Sequence, residues 1–183
     1  VSLLEQHGGW RNRAMIDEFV EFARVCFTEY KDLVNKWMTF NEINNQANYW
    51  SDFLVYSDSG IQYSEGEERE EVMYQAAHYE LVASALAVLK GHEINPDFLI
   101  GCMLSVTPVY PKTCRPEDIM MAEKAMQRKY YFGDVHVKGA YPPGIPAYWK
   151  QKGFSIDCTE ELLYVLYHRT SGAFAGICIL RTG

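Results

Sequence analysis

No run of about eighteen apolar residues occurs anywhere in the 183-residue sequence, so a membrane-spanning helix is excluded and no membrane partner is expected. The first ten residues, VSLLEQHGGW, have neither the basic nor the apolar region of a secretory signal. They also open without an initiator methionine or a helix cap, so the chain is expected to begin partway through a larger unit. Cysteine is sparse and unpaired in pattern: Cys26, Cys102, Cys114, Cys158 and Cys178 form no C-x-x-C and are odd in number. That excludes a zinc knuckle and a disulfide framework, and fits a reducing, cytoplasmic compartment. Positive charge is outweighed, 17 Lys and Arg against 24 Asp and Glu, and the basic residues are scattered rather than striped. With a net charge of −7 and no footprint for a phosphate backbone, nucleic acid is not an expected partner. The histidines lack partners at metal-ligand spacing, His78 inside a helical stretch and His136 beside Asp134, so neither metal nor cofactor is expected.

What is present suffices for one ordinary globular domain, since 48% of the residues are apolar. Ile16, Phe19, Val20, Ala23, Cys26, Phe27, Tyr30 and Val34 recur at three-and-four spacing, which predicts a helix over 15–34. Trp37 to Phe40 then read as a short buried strand. Residues 44–66 have no sustained period and read as one long loop, a length usually associated with function. Ser64 and Glu67 have the spacing of a capping box, opening a second helix whose apolar side carries Val72, Ala76, Tyr79, Ala83 and Leu86, with Gly91 as its end. The stretch FLIGCMLSV, 98–106, predicts a strand covered on both faces, with Cys102 as a small buried apolar residue. Pro116 sits at a first-turn position before a third helix that Gly139 breaks, and a short helix is expected over 147–152. Tyr30, Tyr79 and Tyr130 stand at helical spacing and read as core, whereas the acidic run EGEEREE reads as a solvated helix start. Strands alternating with long helices make this an α/β chain with a parallel sheet.

One polar cluster stands out, in KWMTFNEINNQ. Glu42 follows the first predicted strand, at the end of a parallel strand where α/β folds collect their ligand contacts. Asn41, Asn44, Asn45 and Gln46 offer donors and acceptors matching sugar hydroxyls, and an apolar backdrop of Trp37, Phe40 and Trp50 would raise the carboxyl pKa by desolvation. The same residues also suit a plain loop cap with turn-forming amides. Strand alternation would send Asn41 and Glu42 to opposite faces, so a shared pocket requires the chain to bulge or curl there.

TFNEI resembles the T-F-N-E-P signature of glycoside hydrolase family 1, and GGWRNR at 8–13 is similar to that family's G-G-W-x-N segment. YQAAHYELVASALAVLKGHEINPDFLIGCML, 74–104, and YYFGDVHVKGAYP, 130–142, resemble its 6-phospho-β-glucosidase branch, which Ile43 in place of proline also suits. The resemblance implies a partial (β/α)8 TIM barrel of two or three strand-helix units over residues 1–158, followed by a divergent tail, 159–183. It implies that Glu42 is the general acid/base of a retaining glycosidase and that Asn41 hydrogen-bonds the sugar 2-hydroxyl, with a phosphorylated β-glucoside as substrate. The E-N-G segment that carries the family's nucleophile does not occur, so no nucleophile is expected in this chain. Two functional readings follow: an acid/base-bearing segment of a phospho-β-glucosidase, or an inactive module that self-associates into a homo-oligomer through open sheet edges.

Overall fold

The computed structural model describes residues 2–158 and 178–182. Among these residues three parallel strands form one sheet in the order β1-β2-β3: β1 is Lys36–Met38, β2 is Leu99–Val106 and β3 is Cys178–Thr182. Lys36 pairs with Leu99 and Met38 with Gly101, while Cys102 pairs with Cys178 and Val106 with Thr182. Among the described residues six α-helices accompany them, α1 Ser2–His7, α2 Ala14–Tyr30, α3 Asp52–Ser59, α4 Arg69–Ile94, α5 Pro116–Lys138 and α6 Gly144–Lys152. Parallel neighbours need a crossover, and α4 supplies it between β1 and β2. The α/β architecture expected from alternating periods is therefore present. The tail that sequence alone does not place returns to the sheet as β3, and residues 159–177 lie outside the described residues.

The long helices follow their apolar spacing, with boundaries moved by local chemistry. Helix α2 stops at Tyr30 rather than 34, and Tyr30 is exposed instead of core. Ser64 and Glu67 make half of the expected capping box, the Ser64 N–H donating to Glu67 Oε2 at 2.9 Å, yet α4 begins only at Arg69. Glu67 is held by the Arg11 guanidinium at 2.9 Å, so Glu68 takes over as the cap and accepts from the Glu70 N–H. The acidic run is only partly solvated: Glu70 is buried and accepts from the Tyr148 hydroxyl at 3.0 Å. The expected 44–66 loop contains a 3-10 turn over Ile43–Ala47 and all of α3. Ser51 caps α3 by accepting from the Leu54 N–H at 3.3 Å, and eight residues are too few to reveal a period.

Two apolar clusters meet on α4. Its stretch from 73 to 88 is buried around nearly its whole circumference, which a helix between a sheet and other helices requires. The larger cluster includes Tyr74, Leu81, Leu104, Tyr131, Phe132 and Trp149; the smaller joins Phe27, Val88, Phe98 and Ile100 to Trp37. Gly91 does not end α4 but lies within it, where an added Cβ would stand 2.3 Å from Ile100 Cδ1 and 3.1 Å from the Phe27 ring. Its small size lets α4 approach both α2 and β2. Among the described residues no helix is long and apolar enough to cross a membrane.

Candidate active site

The segment from Thr39 to Gln46 leaves the C-terminal end of β1 and is fastened from several directions. Strand pairing stops at Met38, and residues 39–42 bend. Thr39 remains tied to both neighbours, its N–H donating to Gly101 O at 3.1 Å and its hydroxyl lying 2.7 Å from Ser84 Oγ on α4. Phe40 stacks on Phe19 with centroids 4.5 Å apart and meets the edge of Trp10 at 5.5 Å. Trp10 is buried because Gly9 brings the chain close: at φ 76° an added Cβ would lie 2.3 Å from Ser59 O. The GGW segment and the TFNE segment thus meet in one aromatic contact.

Glu42 is the only non-glycine described residue with positive φ, at φ 49° and ψ 49°. A left-handed conformation costs a residue with a Cβ about 1–2 kcal/mol, so surrounding contacts must impose it. This is the curl that strand alternation demanded. The Glu42 carbonyl accepts from the Asn45 N–H at 2.8 Å, and its carboxylate accepts from Asn45 Nδ2 at 3.0 Å. Glu42 is half-buried and Asn41 is exposed.

The amides do not face outward as a sugar-binding set. Asn44, fully buried, locks onto the end of β2 in both directions, Nδ2 donating to Ser105 O at 2.7 Å and Oδ1 accepting from the Ser105 N–H at 2.8 Å. Gln46 is 2% exposed and donates from Nε2 to Glu80 on α4. Buried amides must be satisfied inside the protein, which leaves Asn41 as the exposed amide of the group. The aromatic backdrop is also differently arranged: Trp37 packs edge-on against Phe27, and Trp50 is 65% exposed.

Carboxyl groups dominate the electrostatics around the turn. Burial raises the Asp58 pKa, and the charge of Glu42 raises it further. Burial drives the Glu80 carboxyl well above the ordinary range, against the pull of the Gln46 hydrogen bond and with the charge of Asp58. Neither Asp58, inside the expected loop, nor Glu80, inside an apolar helix, belongs to the site read from sequence. A carboxylate in the middle of HYELVASALAVL was the available signal for Glu80.

Away from the turn, the other polar residues singled out in the sequence are packed into the fold. His78 is fully buried, with Nδ1 2.9 Å from the Tyr141 hydroxyl, and burial lowers its pKa to about 4. Burial has the same effect on His136, also lowered to about 4. Cys102 is buried in the core, Tyr79 is buried, and the Tyr130 hydroxyl donates to Thr107 O at 2.7 Å. Among the described residues no group of three His, Cys, Asp or Glu is placed to hold a metal ion.

The sequence profile of Glycosyl hydrolase family 1 matches residues 2–178, reaching beyond residue 158. The chain is 49% identical to the aryl-phospho-β-D-glucosidase BglA of Bacillus subtilis (strain 168), over 88% of this chain and 34% of that protein. It is 40% identical to the 6-phospho-β-glucosidase AscB of Escherichia coli (strain K12), over 85% of this chain and 32% of that protein. It therefore spans about a third of the length of these relatives. A solved β-glucosidase from Exiguobacterium marinum superposes with a TM-score of 0.72 at 26% identity, covering 96% of this chain and 38% of that one. The glycosyl hydrolase family 1 β-glucosidase from Exiguobacterium antarcticum B7 gives 0.69 at 31%, covering 90% and 36%. The chain belongs to Glycosyl hydrolase family 1, and its parallel sheet with flanking helices is a part of that family's (β/α)8 barrel.

Proposed function

We propose that this chain is the acid/base-bearing segment of a retaining 6-phospho-β-glucosidase, with Glu42 as the general acid/base and Asn41 as the ligand of the sugar 2-hydroxyl. The observation that carries the reading is the strained, pinned backbone of Glu42 at the C-terminal end of a parallel strand. Strain of this kind clusters where a side chain must be held in one direction. The substrate class is taken from the phospho-β-glucosidases to which the chain is similar.

In the retaining mechanism Glu42 donates a proton to the glycosidic oxygen as the leaving group departs, and a second carboxylate attacks the anomeric carbon. Glu42, now ionised, removes a proton from the water that hydrolyses the glycosyl-enzyme. The exposed Asn41 amide adds a hydrogen bond to the 2-hydroxyl that strengthens as the ring acquires oxocarbenium character. The two carboxyl groups must stand about 5–5.5 Å apart. With no E-N-G segment in the sequence, the nucleophile comes from outside this chain. Incubation of the chain alone with a chromogenic 6-phospho-β-glucoside is expected to release no chromophore. Turnover by the chain alone that disappears in Glu42→Gln would overturn the assignment of a single catalytic carboxylate.

A further inference from the structure

Glu80 and Ser84 lie one turn apart on α4 and face the two ends of the segment that carries Glu42. Ser84 Oγ meets the Thr39 hydroxyl at 2.7 Å before the curl, and Glu80 receives the Gln46 amide after it. Between these points Asn44 grips the end of β2 through two hydrogen bonds. Three anchors on two elements thus enclose a residue held in a left-handed conformation. We infer that Glu80 is a positioning residue for Glu42, its carboxyl and the Gln46 amide forming a buried latch that closes the far end of the turn.

The chemistry of the pair supports a neutral acid joined to an amide. Both side chains are 2% exposed, and the Gln46 amide oxygen is buried without a hydrogen-bond partner. A protonated carboxyl carries the donor that this oxygen lacks, so acid and amide can satisfy each other. The titratable groups that interact electrostatically with Glu80 are Asp58 on α3 and Tyr131 on α5, and neither is a cation that would favour an ionised Glu80. Burial favours the neutral carboxyl over the charged one, and the neutral form is the one that complements the unpaired Gln46 amide oxygen. A lysine or arginine in its place would lack the acceptor that Gln46 Nε2 requires.

The inference rests on Glu42 being the acid/base, but the latch is measured without substrate and so fails or stands separately from that reading. The test is side-chain and backbone NMR of the isotopically labelled chain at pH 7. Expected are a Glu80 carboxyl carbon at its protonated position, and Cα and Hα shifts of Glu42 typical of left-handed backbone. Glu80→Ala is expected to move those Glu42 shifts and to release the Asn45 side-chain amide, whereas Glu80→Gln keeps both. The exchanged pair Glu80→Gln with Gln46→Glu, which rebuilds one acid and one amide, is expected to restore the parent pattern. Should Glu80→Ala fail to fold, Gln46→Ala removes the same latch from the turn side and leaves α4 intact. An ionised Glu80 at pH 7, unmoved Glu42 and Asn45 signals in the folded Ala variants, or an exchanged pair that behaves like Glu80→Ala would overturn the inference.

Discussion

Glu42 occupies a conformation that its own side chain disfavours, and the residues around it explain why it stays there. The local sequence identifies the carboxylate and its position after a strand, yet leaves its amide neighbours open to two uses. The structure assigns Asn44 and Gln46 to anchoring, because their side chains are buried and hydrogen-bonded to Ser105 and Glu80. Composition could not separate anchoring from sugar contact, since an amide offers the same donors and acceptors to either. Asp58 was illegible for a different reason: its coupling to Glu42 is a matter of folding and not of spacing in the chain. A titration tests that coupling. With the like charge removed in Glu42→Gln, the Asp58 pKa is expected to fall, while staying above the ordinary aspartate value because burial is the larger cause. The carboxyl carbon shift of Asp58 followed against pH measures this, and an unchanged midpoint would show that the two groups do not interact.

Helix α4 organises the elements around it, and its period was readable only in part. The apolar residues at three-and-four spacing mark its core face, but burial around nearly the whole circumference also admits His78, Glu80 and Ser84, each with a hydrogen-bond partner. An amphipathic pattern predicts one buried face; a helix enclosed by sheet and helices exceeds that pattern. In the sequence Gly91 suggests a helix end, a role glycine commonly plays. In the fold it is a contact point, and its replacement is expected to separate α4 from β2. Gly91→Ala gains about 1 kcal/mol of helix propensity but forces the new methyl against Ile100 and Phe27, an overpacking that typically costs about 1–3 kcal/mol. A net loss of about 1 kcal/mol is expected in urea unfolding, larger for Gly91→Val. A stabilised alanine variant would mean that Ile100 and Phe27 yield freely.

At the scale of the whole molecule, the parallel order β1-β2-β3 and the crossover through α4 give the chain part of a barrel wall. Alternating helix and strand patterns predict that class, while the return of 178–182 to the sheet is not visible in a tail that diverges from the family's pattern. The catalytic reading also belongs to this scale, because one carboxylate completes no double displacement by itself. The direct measurement is made in a full-length setting: the segment of the Bacillus subtilis relative BglA that matches this chain is replaced by it, and hydrolysis of a chromogenic 6-phospho-β-glucoside is followed. With Glu42 present the chimera is expected to be active, and Glu42→Gln is expected to lower kcat/KM by about 10²–10⁴-fold, the usual contribution of a general acid/base. An active chimera in which Glu42→Gln leaves kcat/KM unchanged would contradict the assignment of Glu42 as the acid/base.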